Sequence, residues 1–272
     1  MAIGARRLRT LLPLCAALFV IPLAGCVTTG PGNWGADAAL PSLARLKDAA
    51  VQSAKDPHVW APLAGAAVFQ IDGWDRKVSN WARENTPVFG SQQEAQAWSD
   101  HLRSASSIAY FATVLATPGS DDAPTWLRDK ARGLTVQLGA IATTGLATTV
   151  LKDATGRTRP NGEGTQSFPS GHSSHAAVLN GLARDNLDAI DMSPTARRVL
   201  DVGVDLLGYG TGWARVEAGA HFPADVLAGI ALGNYVAGVF DRAFFESGMP
   251  NPVSVSVEPV PRGFELELEW RY

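Results

Sequence analysis

The body of this chain reads as helical, and the spacing of its apolar residues changes only in the tail. Ser91 with Glu94 three residues on forms a capping box that opens a helix to about Thr117. Pro118 to Asp122 is a loop, and Pro124 begins a long segment that runs to Lys152. Ser193-Pro194 places a cap before Pro in a first turn and opens a helix toward Trp213; Pro223 does the same for a segment ending near Phe245. Shorter helices are predicted over Pro41–Lys55, His58–Ile71 and Trp74–Glu84. In the tail, Val253, Val255 and Val257 alternate with serines, and Phe264, Leu266, Leu268 and Trp270 alternate with charged residues. With Pro259 to Gly263 as the turn, this period of two predicts a β-hairpin. An isolated hairpin is marginal in water, so its apolar face is expected to pack on the bundle or on a partner.

One stretch tests the boundary between core and membrane. Gly133–Leu151 carries no charge and has the length of a membrane span. Gln137 and the threonines, Thr143, Thr144, Thr148 and Thr149 among them, weaken its hydropathy. It is expected as the central helix of a soluble bundle. The next best candidate, Phe222–Phe240, contains Asp225 and Asn234, so no multi-span protein is predicted.

The first 25 residues are read as a targeting segment. Arg6, Arg7 and Arg9 precede an apolar run from Leu11 to Leu23, and small residues follow. Leu23-Ala24-Gly25-Cys26 resembles a bacterial lipobox, which implies a lipidated, palmitate-bearing Cys26 as the mature N-terminus. Val27 stands where an inner-membrane retention signal places Asp, which favours the outer membrane over the inner and a domain facing the periplasm. Gly, Ala and Pro between Gly30 and Pro41 predict a flexible tether, giving a signal over 1–25, lipidated Cys and tether over 26–41, a helical domain over 42–247 and a tail over 248–272. Cys15 leaves with the signal, so neither a disulfide framework nor a Cys-based metal site is expected. Loss of three arginines and no acids takes the net charge from −3 to −6, which argues against a nucleic-acid partner. The oligomeric state is unreadable.

Three segments carry chemistry: Lys152-x6-Arg159-Pro160, Pro169-Ser170-Gly171-His172 and Arg215-x5-His221-x3-Asp225. If Pro223 opens a helix, His221 lies at its edge and Asp225 in its first turn. A carboxylate four residues on can accept one imidazole proton and leave the other nitrogen as a nucleophile. Asp225 can equally satisfy free backbone donors of that turn. Ser170 and Gly171 precede a helix starting near His172, whose first amides favour an anion, and His172 would sit beside it as a proton donor. His175, one turn on, is expected to cap or pack, and Arg157 to be a solvated charge. Pro160 holds Arg159 extended. Three cations around one anion are how phosphoryl-transfer sites neutralise developing charge.

Together these segments resemble the signature of the type 2 phosphatidic acid phosphatase superfamily, which also holds bacterial acid phosphatases and vanadium haloperoxidases. Its pattern is K-x6-RP, PSGH and SR-x5-H-x3-D, and one fixed position departs from it: Ala214 stands where the family has Ser. The resemblance implies an all-α helical bundle, here with a small C-terminal hairpin, and a metal-independent phosphatase with no cofactor. It implies His221 as the nucleophile that becomes phosphohistidine, Asp225 as its orienter, and His172 as proton donor and later activator of water. Lys152, Arg159, Arg215, Ser170 and Gly171 would hold the phosphate oxygens. The implied substrate is a phosphorylated small molecule or a lipid phosphate or pyrophosphate. Vanadium-dependent halide oxidation and a non-catalytic lipoprotein scaffold stay open as alternatives.

Overall fold

The computed structural model describes residues 33–245 and, for their backbone, the strands within 253–270. The expected signal segment and lipidated Cys26 lie outside the described residues. The helices are α1 (Leu43–Ala54), α2 (Pro57–Val68), α3 (Trp74–Asn85), α4 (Gln92–Ala116), α5 (Ala123–Thr155), α6 (Gly171–Asp188), α7 (Pro194–Glu217) and α8 (Pro223–Phe244), with a short 3-10 turn at Ile71–Gly73. Local chemistry sets most starts. Ser42, Asp56, Ser91, Asp122, Ser170 and Ser193 each accept an amide of the following first turn, and Pro stands in the first turn of α2, α5, α7 and α8. Strands β1 (Val253–Val260) and β2 (Gly263–Trp270) pair antiparallel, with Val253 opposite Trp270.

The centre of the bundle is α6, packed along α8 and flanked by α4, α5 and α7. Helix α6 buries nearly every residue from Ser173 to Leu187, with small and apolar residues on most sides and the buried Asn180 and Asn186 hydrogen-bonded to neighbouring helices. Glycine permits its contact with α8. A Cβ on Gly233 would lie 2.4 Å from the Ser174 carbonyl oxygen, and one on Gly229 would lie 2.6 Å from that of Ser170. Only a bare backbone lets the two helices approach this closely, and their N-termini carry the two candidate histidines.

Two expectations need correction. Helix α5 is not central. Its inward face is Gly133, Gln137, Ala140, Thr144 and Thr148, while Leu127, Leu138, Leu146 and Val150 point outward; Leu146 is 67% exposed and Thr148 only 5%. Ile108, Phe111 and Leu115 on α4 and Val199, Val202 and Leu206 on α7 are likewise exposed. The helices α5 and α8 are both long and apolar enough to cross a membrane. The second correction concerns the tether. From Asn33 on, the segment is docked, because the Trp34 indole stacks on Phe245 at 5.6 Å and covers Gly133, and its amide donates to the Pro118 carbonyl at 3.1 Å. Further along, the Ala39 amide donates to Phe244 at 3.2 Å.

Candidate active site

The candidate site is built where the loop between α5 and α6 meets the N-termini of α6 and α8. Helix α5 ends at Gly156 in the left-handed region (φ 53°), and the loop then folds on itself. The Arg159 amide donates to the Gly164 carbonyl at 3.1 Å, and the Ser167 amide to the Arg157 carbonyl at 2.9 Å. The Ser170 amide donates to the Asp225 carbonyl at 2.9 Å, stitching the loop to α8.

His221 is 2% exposed, and its Nδ1 lies 2.7 Å from the Ser167 main-chain oxygen. A carbonyl can only accept, so the proton sits on Nδ1 and Nε2 keeps its lone pair. Burial holds the imidazole pKa well below its usual value, and the charges of Arg215, Lys152 and Arg159 push the same way. A neutral, oriented imidazole is thus fixed beside three cations.

The orienting group differs from the one the spacing suggested. The Asp225 carboxylate does not hold the ring; it accepts from the Ser167 hydroxyl at 2.6 Å, the Phe222 amide at 2.9 Å and Arg157 at 2.6 Å. The aspartate therefore acts one step removed, by fixing the residue whose carbonyl holds His221. The reason is geometric: Asp225 turns back to satisfy the free amide ahead of α8, as a residue at the third helical position can. Arg157 is correspondingly not a solvated charge. It bridges Asp225 and Asp75 at 2.6 Å each and lies 4.2 Å over the Phe222 ring. Asp75, from α3, also accepts the Ala224 amide at 2.8 Å.

The phosphate-binding candidates come together around His221. Lys152 donates to the Gln166 carbonyl, and Arg215 donates to Gln96 and, at 3.2 Å, to the Ser99 hydroxyl. All three of these partners are neutral, so the positive charges are not cancelled there. Arg159 and Arg215 each keep a buried Nε that meets no partner among the described residues. Burial and the neighbouring Arg159 lower the Arg215 pKa to about 10, which still leaves it charged. Gly171 lies next to Lys152 on the wall of a cavity that His172 also lines. As the first two amides of α6, those of Gly171 and His172 have no helical acceptor. Ser170 is engaged otherwise than expected. Its hydroxyl oxygen caps α6, accepting from the Ser173 amide and, at 2.9 Å, from the Ser173 hydroxyl.

His172 has a partner that its neighbours in sequence do not supply. Its Nε2 lies 2.9 Å from Asp100 Oδ1 on α4, so the carboxylate accepts there and Nδ1 remains for proton transfer. Burial and Arg215 pull its pKa below the usual value, and Asp100 draws it back up. The signal for Asp100 was present as a stripe. Gln96, Ser99, Asp100 and Arg103 fall at i, i+3, i+4 and i+7, one polar face of α4, and the first three contact Arg215 or His172.

The PAP2 superfamily model matches residues 133–248. Among solved structures, the chain is similar to a crystal structure described as the first transmembrane PAP2 type phosphatidylglycerolphosphate phosphatase from Bacillus subtilis. Identity is 23% and the TM-score 0.50, over 68% of this chain and 92% of that one. The sequence matches none of the curated proteins compared with it.

Proposed function

We propose, from a chain whose residues 133–248 belong to the PAP2 superfamily, that the protein is a membrane-associated phosphatase. In this reading it cleaves phosphomonoesters, lipid phosphates among them, through a phosphohistidine. The observation that carries the reading is the buried, neutral His221 with Nε2 free beside Lys152, Arg159 and Arg215. Nε2 attacks phosphorus, the bond to the leaving oxygen breaks, and that oxygen takes the proton of His172. Water then attacks phosphorus as one of its protons passes to His172, the P–Nε2 bond breaks, and phosphate and neutral His221 are released. The three cations stabilise the charge on the equatorial oxygens in both steps.

Membrane association is supported by the outward leucines of α5 and the apolar faces of α4 and α7, an inside-out pattern that suits a lipid environment better than water. A lipid on Cys26, in a bacterial protein facing the periplasm, completes this proposal. Radiolabelled palmitate is expected to enter the wild-type chain and not Cys26→Ser; equal labelling would remove the anchor.

The test of activity is phosphate release from an aryl phosphate and from phosphatidic acid in detergent, with EDTA present, as a function of pH. His221 must be neutral and His172 protonated. Both pKa values lie below the usual histidine value, that of His221 well below it. The kcat/KM profile is therefore expected to be a bell on the acid side of about pH 6.5. Its falling limb belongs to His172, and Asp100→Asn, which removes the group that raises that pKa, should move this limb to lower pH. An optimum above neutrality would refute the assignment of the two histidines.

A further inference from the structure

A cavity opens beside His172, sharing Lys152, Gly171 and His172 with the candidate site. It has a volume of about 350 Å³ and continues from Lys152 along α5 to Thr144. Eight residues of helix are about 12 Å. Thr148 and Ser174 form its wall, and their hydroxyls are bonded to each other at 2.9 Å. Its far side is made by Arg103 of α4 and by His175, one turn beyond His172.

Arg103 is a fourth cation that the phosphoryl-transfer reading leaves without a task. Its Nε is buried and meets no partner among the described residues. The acid beside it, Asp100, is 3.7 Å away and is already engaged at 2.9 Å by His172. Arg103 lines the cavity together with His172 and His175, and its charge adds to the burial that lowers the pKa of both. His175, kept neutral near pH 7 by burial and by this charge, offers a hydrogen bond without adding a cation.

Resting on the phosphatase reading, we infer that this extension is the leaving-group subsite and that Arg103, seconded by His175, selects substrates bearing a second anionic group beyond the scissile phosphate. Arg103 is a specificity-determining residue in this view, distinct from the three cations around His221.

The experiment compares kcat/KM of the full chain for phenyl phosphate, inorganic pyrophosphate and propane-1,3-diyl bisphosphate. The wild type is expected to prefer one of the two doubly phosphorylated compounds, and which one reports whether the second charge is adjacent or spaced. Arg103→Gln should reduce that preference about thirty-fold, through KM, because a charged hydrogen bond is lost; Arg103→Lys should keep part of it. Calorimetric binding of methylenebisphosphonate against methylphosphonate reads the same preference without turnover. No preference in the wild type, or an equal loss on all three substrates in Arg103→Gln, overturns the inference. Phenyl phosphate hydrolysis that survives His221→Ala instead overturns the active-site reading beneath it.

Discussion

His221→Ala is expected to lower phosphate release by on the order of 10⁴-fold or more, the scale of loss when a nucleophile is removed. The argument is structural before it is catalytic. The ring is 2% exposed, its Nδ1 proton is held by the Ser167 carbonyl at 2.7 Å, and three cations disfavour its protonation. Alanine removes the attacking atom and leaves the cradle of Lys152, Arg159 and Arg215 in place, so substrate binding should change little. Rapid alkaline quenching of wild-type enzyme with ³²P-labelled substrate should trap an acid-labile phosphoprotein that is absent from the variant. Activity within tenfold of wild type would remove His221 from the reaction.

Asp225→Asn should be the next most damaging change, and in two measurements at once. The carboxylate is fully buried and accepts three hydrogen bonds, from the Ser167 hydroxyl, the Phe222 amide and Arg157. An amide placed there must point its NH₂ either at the Ser167 and Phe222 donors or at the guanidinium, so one side becomes donor against donor. Arg157 is left with Asp75 alone. Breaking a buried pair from one side costs about 3 kcal/mol, readable by urea denaturation. The Ser167 carbonyl loses its anchor with it, and kcat should fall about 10²- to 10³-fold as the His221 ring loses its orientation. A fall in kcat with unchanged stability would mean that the carboxylate acts on the imidazole directly, the role its sequence spacing suggested.

The two carboxylates that support the histidines show where sequence reading reaches its limit. Asp225 was visible because it stands four residues from His221, yet its partner was not, since spacing places a residue in a helical turn without saying which amide the turn leaves open. Asp100 lies 72 positions from His172, and Asp75 lies 149 from the α8 amide it caps. Only packing brings them there. The polar stripe on α4 could have flagged Asp100; Asp75 had no comparable signal in its own helix.

Helix α5 teaches the same lesson at the level of fold. Its uncharged run was plain in the sequence, but a periodic pattern separates two faces without saying which one meets the core. Gln137, Thr144 and Thr148, which weaken the hydropathy of the run, form its inner face, where Gln137 donates to Asn186 at 2.7 Å.

What the sequence determined by itself is therefore what short range controls: the helix starts written by Ser, Asp and Pro, and the three segments whose residue types and spacings already hold two histidines and three cations. The tertiary structure alone decided which helix is central, which side of each faces outward, and which carboxylate supports which histidine. Those outcomes depend on side chains far apart in the chain, brought together by close packing of α6 on α8 and the low-dielectric interior it creates, and no local pattern encodes them.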